Sequence, residues 1–359
     1  MNRRTFLALG TGLAVGARPV AATHGAPYRR EQDRQIPARQ QTTVEDKPDG
    51  VYVQPFLETM SMQGTTEVGD YKVAVMYTIP HRFWTMTGTE RAEQPLPGDA
   101  SVHLMAQVWD PETGTVLPEV GLSVEITRDG DLVSEEVIYP MLSQRMGFHY
   151  GANFTLAGDG EYTVTLSIGG MQIRRTGAFE GRFGEAATAE IGLTYTEETR
   201  GEVQVREIDQ AGQRGALKPM DMEMVPVGLA PASDDLPRTV VGTAESDDAR
   251  FVVSRVPADE ADRFTDGEPY LLVSARTPYN DLLLPMMGLE ATVTRDGETV
   301  FDGRLERTLD SEVNYHYGTA VEGGLRSGDA IALSVAVPPQ VARHQGYETA
   351  FLEMPETEL

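Results

Sequence analysis

Leu117-Pro118-Glu119-Val120-Gly121-Leu122-Ser123-Val124-Glu125-Ile126-Thr127-Arg128-Asp129-Gly130 returns as Leu284-Pro285-Met286-Met287-Gly288-Leu289-Glu290-Ala291-Thr292-Val293-Thr294-Arg295-Asp296-Gly297, with position 284 lying 167 residues beyond position 117. Nineteen residues past each closing glycine stands the same tripeptide, His149-Tyr150-Gly151 and His316-Tyr317-Gly318. A fixed offset without slippage means two copies of one folding unit. Within each copy the apolar residues alternate: Leu122, Val124 and Ile126 in the first, Leu289, Ala291 and Val293 in the second. Period two followed by Asp-Gly reads as strand and tight turn.

The same alternation runs through Tyr71, Val73, Val75 and Tyr77, through Tyr162, Val164, Leu166 and Ile168, and through Ile331, Leu333, Val335 and Val337. No stretch offers an amphipathic helix longer than two turns. The fold expected is all-β, two tandem immunoglobulin-like antiparallel β-sandwich domains. The organisation expected is an export signal over 1–24, a disordered tether over 25–48, a metal-binding sandwich over 49–199, a linker over 200–217 and a second sandwich over 218–359. The signal is of twin-arginine type: Arg3-Arg4-Thr5-Phe6-Leu7 precedes a mild apolar run from Ala8 to Ala17. An extracytoplasmic, cell-surface location follows. The apolar run is too short for a permanent span.

The net charge is -25, and of the 30 basic residues only Lys47, Lys72 and Lys218 are lysine. An acidic, lysine-poor surface suits very high salt, where screening removes self-repulsion. Nucleic acid is excluded as a partner by the lack of a basic face. With no cysteine, disulfides, thiolate zinc sites, iron–sulfur clusters and blue copper are excluded as well. Any metal must be held by His, Met, carboxylate or backbone oxygen.

There are six histidines. Two of them at matched positions of a repeat point to coordination or a fixed hydrogen bond. In Val102-His103-Leu104-Met105-Ala106-Gln107-Val108 the apolar residues form one strand face, so His103 and Met105 share the other, about 7 Å apart. Imidazole beside thioether is a donor pair suited to copper; the plain alternative is a half-exposed strand face. Pro140-Met141-Leu142-Ser143-Gln144-Arg145-Met146-Gly147-Phe148-His149-Tyr150-Gly151 reads as a Met-containing loop leading into an imidazole, with Gly151 permitting an unusual backbone turn. Methionine also fills core gaps. Met220, Met222 and Met224 alternate before Val225-Pro226 and either bind metal or line a sandwich edge. Phe83-Trp84, after His81, reads as core. Carboxylates are too numerous for any to be nominated as an acid or base, and no nucleophile elbow, HExxH or phosphate loop is present. An enzyme is not indicated.

These residues resemble the periplasmic Fe2+ transport protein family, copper-binding immunoglobulin-like proteins associated with iron uptake. Val51-Tyr52-Val53-Gln54-Pro55 followed by Met60 and Met62, then His103-Leu104-Met105-Ala106-Gln107-Val108, then Tyr139-Pro140-Met141 with Phe148-His149-Tyr150-Gly151-Ala152-Asn153, are similar to three family segments in order. Pro338-Pro339-Gln340-Val341-Ala342-Arg343-His344-Gln345-Gly346 is similar to the family's last ligand segment. The resemblance covers most of residues 50–180 and, more faintly, 218–351. Met105 stands where the family has an acidic ligand, Arg174-Arg175-Thr176-Gly177 where the first copy's final histidine belongs, and Tyr270 and Thr308 in the second copy's slots for His103 and Met141.

The resemblance implies copper, and Fe2+ beside it, held by His103, Met105, Met141, His149, His344 and His316, with a membrane iron permease as partner and a haloarchaeal source for so acidic a version. Family members resemble homodimers, so a fused tandem implies a pseudo-dimer, with a homo-oligomer as the alternative. In it His344 either completes the site of His103, Met141 and His149, or lies near His316 and leaves two half-sites. The rival classes are a structural or adhesive surface protein without a metal, and a copper-dependent ferrous iron oxidase. An ordinary imidazole pKa puts the loss of metal on acidification near 6.5.

Overall fold

The computed structural model describes residues 43–237 and 239–359. The export signal of 1–24 and residues 25–42 of the tether lie outside the described residues. The first half supplies β1 (Phe56–Glu58), β2 (Ser61–Val68), β3 (Tyr71–Thr78), β4 (Phe83–Thr87), β5 (Glu90–Gln94) and β6 (Val102–Trp109). It continues with β7 (Leu122–Arg128), β8 (Asp131–Val137), β9 (Tyr139–Ser143), β10 (Gly147–Phe154), β11 (Gly160–Ile168), β12 (Arg174–Thr176) and β13 (Ala187–Tyr195). A six-residue helix α1 (Glu197–Glu202), capped by Thr196, runs from the end of the first sandwich into the stretch read as linker, which also holds β14 (Val205–Glu207). The second half supplies β15 (Thr239–Ser246), β16 (Ala249–Val256), β17 (Tyr270–Arg276), β18 (Gly288–Arg295) and β19 (Glu298–Arg304). After these come β20 (Glu306–Asp310), β21 (Asn314–Ala320), β22 (Ala330–Val337), β23 (Ala342–Arg343) and β24 (Thr357–Glu358).

The fold is all-β, as expected. The first half pairs an eight-stranded sheet, β2-β3-β6-β10-β9-β23-β4-β5, with a four-stranded one, β13-β11-β7-β8. The second pairs a six-stranded sheet, β12-β20-β21-β17-β16-β15, with β19-β18-β22-β24. In the central strands of each half one side faces the partner sheet. Val73, Val75 and Tyr77 of β3, Leu104, Ala106 and Val108 of β6, and Phe148, Tyr150 and Ala152 of β10 join Val124, Ile126, Val164 and Leu166 in one buried cluster that continues into the second half. Period-two patterning delivers this in β11 and β13, which bury alternate side chains, whereas β3, β6, β10 and β17 are buried on both faces; apolar burial contributes about 25 cal/mol per Å².

The repeat is visible in the backbone. Glu119 and Met286 both turn left-handed (φ 63° and 64°), as do Asp129 and Asp296 (54° and 51°) and the residues two before each histidine, Gly147 and Asn314 (66° and 59°). Tyr150 Oη accepts from Val120 N at 3.1 Å, and Tyr317 Oη accepts from Met287 N at 3.0 Å. The halves also exchange short strands. β12 of the first lies parallel to β20 of the second, and β23 of the second lies parallel to β9 of the first, with Ala342 opposite Met141. This reciprocal exchange carries residue 344 out of its own half.

Candidate metal centre

Where core residues face inward, the alternate residues of β6 and β10 face away from the sandwich core: His103, Met105 and Gln107 on one, His149, Gly151 and Asn153 on the other. Register sets the site. Asn153 pairs with His103 and Gly151 with Met105 on one side of β10, while His149 pairs with Met141 of β9 on the other. The 140–151 stretch is therefore a hairpin, not a loop. β23 lies on the far side of β9, and His344 N donates to Leu142 O at 3.1 Å. That segment is tied down by the buried Arg343 guanidinium, which donates to the carbonyls of Pro339, Ala350 and Phe351.

His81 completes the group. It follows β3, whose Thr78 sits opposite His103, and three further residues bring its ring to 3.9 Å from that of His103 and 4.6 Å from that of His344. Donor atoms of His81, His103 and His344 all lie within 4.8 Å of one another. The rings of His149 and His344 are 5.1 Å apart, and His344 Nε2 is 3.3 Å from Met141 Sδ. All four imidazoles and Met141 are buried.

One nitrogen of each of three imidazoles is committed to the protein. His81 Nδ1 is 3.1 Å from Arg82 O, His103 Nδ1 is 2.9 Å from Asn153 Oδ1, and His149 Nδ1 is 3.0 Å from Gly147 O. These acceptors require Nδ1 to carry the proton, which leaves a lone pair on Nε2. The three Nε2 atoms are buried and without hydrogen-bond partners. Three orphaned acceptors in one buried cluster fit a late transition-metal ion, since each would otherwise carry the cost of an unmet hydrogen bond.

Burial pushes the His81 and His149 imidazoles down to about 4 and those of His103 and His344 well below the ordinary range; neighbouring imidazoles of the cluster add to this for His81, His103 and His344. All four are neutral at pH 7 and available as ligands. Burial shifts the expected acid release below 6.5, because protonating these imidazoles inside the folded protein takes a lower pH than protonating an exposed one. Burial also raises the Glu58 carboxyl to about 8, against a hydrogen bond from Thr78. Its Oε1 stands 3.6 Å from His81 Nε2, two neutral groups and not an ion pair.

Gly151 requires a correction. It is ordinary strand, with no left-handed backbone. A Cβ there would stand 2.9 Å from His103 Nε2 and 3.1 Å from Met141 Sδ, so glycine is needed for the close approach of two donors. At the matching Gly318 a Cβ would collide with the Tyr270 ring.

The structure thus brings His103, Met141, His149 and His344 together and adds His81, which sequence reasoning took only as the residue before a core Phe-Trp pair. Met105 lines a small cavity beside His81 and His344, and its side chain joins a cluster of methionines. His316 is elsewhere. Its Nδ1 keeps the inherited contact, 3.0 Å from Asn314 O, but its Nε2 meets Tyr270 Oη at 3.2 Å, and Phe264 stacks on Tyr270. The slots of His103, Met141 and His344 there hold Tyr270, Thr308 and the Thr176 region, and Thr176 Oγ1 donates to Asp310. His316 is satisfied within the protein and is not part of the cluster.

A family profile described as a domain of unknown function, DUF7350, matches residues 58–192 and 234–359. No curated protein matches the chain by sequence. Among solved structures, a copper-bound variant of FetP from uropathogenic Escherichia coli strain F11 is 23% identical with a TM-score of 0.30, covering 38% of this chain and 98% of that one. FetP as isolated is 22% identical with a TM-score of 0.30, covering 39% and 97%. A copper-bound variant of Campylobacter jejuni P19 is 20% identical with a TM-score of 0.31, covering 39% and 97%.

Proposed function

The chain belongs to the DUF7350 family, and for this member we propose that the cluster of His81, His103, His149, His344 and Met141 is a copper site, shared between the two halves of one chain. The observation that carries this is the set of three buried, partnerless Nε2 atoms of His81, His103 and His149, beside His344 Nε2 at 3.3 Å from Met141 Sδ. Four neutral imidazoles and one thioether are borderline-to-soft donors, and by softness and the usual divalent order they favour copper over zinc, magnesium or calcium. The second oxidation state of copper is served as well, since the thioether suits Cu(I).

The role is that of an exported metal-binding protein in copper and ferrous iron uptake or homeostasis at the cell surface, a carrier and not a catalyst. Support comes from the twin-arginine-like N-terminus and the family resemblance of the site segments. The acidic, lysine-poor composition supports a salt-loving, haloarchaeal source.

Metal titration of the full chain at high salt, with elemental analysis, tests the reading. Titrated with Cu(II), one tightly held ion per chain is expected at the histidine cluster, lost in His149→Ala and kept in His316→Ala. Copper retained by His149→Ala at the parent's affinity would refute the site. Turnover of Fe2+ to Fe3+ under air would move the protein to the oxidase class.

A further inference from the structure

Beside the imidazoles lies a second concentration of soft donors. Met76, Met105 and Met146 are buried, and Met60, Met62, Met220 and Met222 pack on them half-buried, so seven of the chain's 15 methionines share one cluster. Among the described residues, only Ala74, Trp109 and Val225 complete it. The main core, though far larger, has four among the described residues: Met171 and Met287 buried, and Met286 and Met354 packed on it half-buried. Packing alone does not account for this, because Leu fills the same volume and specifies it better.

Strand register builds the arrangement. Met62 of β2 pairs with Met76 of β3, and Met76 pairs with Met105 of β6, a row of three thioethers across adjacent strands about 4.8 Å apart. The segment after α1 and β14 then folds back over this face. Met220 N donates to Arg145 O at 2.8 Å, and Gln107 donates to Pro226 O at 3.3 Å, which lays Met220 and Met222 against the row. Met224, two residues on, is 63% exposed. A cavity of about 40 Å³, lined among others by Met60, Met105, Met146 and Met220, reaches His81 and His344.

We propose that this methionine face is a second metal site, selective for Cu(I), from which the ion passes through the cavity to the imidazoles. Thioethers are uncharged, so they bind a monovalent soft ion without burying a countercharge and hold no hard divalent ion. Half-buried donors at the surface meet the ion first, and buried donors lead inward. The ion stays Cu(I) throughout, so no electron is transferred. The site itself stands apart from the copper reading above; only the passage inward rests on it.

Silver(I), a redox-inert stand-in for Cu(I), is the probe. The full chain in high potassium nitrate is expected to bind two Ag(I), one with sulfur-only coordination by X-ray absorption and one with nitrogen ligands. Replacing Met60, Met62, Met220 and Met222 together by Leu, near-isosteric changes, should remove the sulfur-only ion and keep the other. The double variant Met220→Leu/Met222→Leu, confined to the overlying segment, should weaken that ion at least tenfold. His103→Ala/His149→Ala should do the reverse, losing the nitrogen-bound ion alone. A parent that binds no sulfur-only ion, or leucine variants that bind it as tightly as the parent, would overturn the proposal. A parent that binds the sulfur-only ion but no nitrogen-bound one would overturn the histidine site instead.

Discussion

Acidification of the metal-free protein should unfold it well above pH 4. The His81, His149 and His316 imidazoles sit at about 4 in the folded chain, because burial disfavours the cation, against 6.5 for an ordinary imidazole. Below 6.5 the unfolded chain binds these protons and the folded chain does not. The stability they contribute is therefore full above 6.5 and is lost as the pH falls toward 4. At about 1.4 kcal/mol per pH unit, each costs on the order of 3 kcal/mol over that interval, and three together on the order of 10 kcal/mol. His103 and His344 act in the same direction. Glu58 acts in the opposite one. Its carboxyl, raised to about 8, is protonated in the folded chain before the unfolded one, and returns at most about 3 kcal/mol between 6.5 and 4.5, less because its side chain keeps 18% exposure. A net loss of about 7 kcal/mol is comparable to the whole stability of an ordinary domain. Denaturant titrations of chelator-treated protein at fixed high salt, from pH 7.5 to 4.5, should show a steeply falling midpoint with unchanged slope. One equivalent of copper should flatten the upper part of that fall, since a bound ion stabilises only the folded form. An apo midpoint that stays level from 7 to 4.5 would refute the reasoning, because it would mean the imidazoles are hydrated and free to protonate in the folded chain.

If β23 carries the fourth imidazole across, His344→Ala should weaken copper at least tenfold while circular dichroism stays that of the parent; unchanged affinity would confine the site to the first half. Gly151→Ala places a methyl 2.9 Å from His103 Nε2, so copper affinity should fall more than tenfold, with about 1–3 kcal/mol lost from stability by overpacking, measured by denaturation of the apo form. Because charge repulsion reaches further as the Debye length grows from about 3 Å at 1 M salt to about 10 Å at 0.1 M, the thermal midpoint should climb steeply with KCl, and a level response would remove the inference of a salt-loving source.

Whatever depends on local spacing is legible before any folding is considered. Alternation in Leu122-Val124-Ile126 and Leu289-Ala291-Val293 is enough to require strands, since a residue's side of a strand depends only on its parity. The 167-residue offset is enough to pair His149 with His316, and the twin left-handed turns at Gly147 and Asn314 with the same Nδ1 contact bear that out. Parity also places His103 and Met105 on one face. What parity cannot carry is which strands become neighbours. His81 has no motif of its own and enters the cluster only because β3 pairs with β6 in the register that sets Thr78 against His103. His344 lies 203 residues from Met141 in the chain, and both the composite and the separated arrangement satisfied the sequence; the parallel pairing of Ala342 with Met141 decides between them. Gly151 looked like a turn residue, and only the approach of His103 and Met141 over its Cα gives the reason for glycine. The lowered imidazole pKa values are likewise tertiary, because desolvation comes from segments that fold over the sheet face and not from any neighbour in the chain.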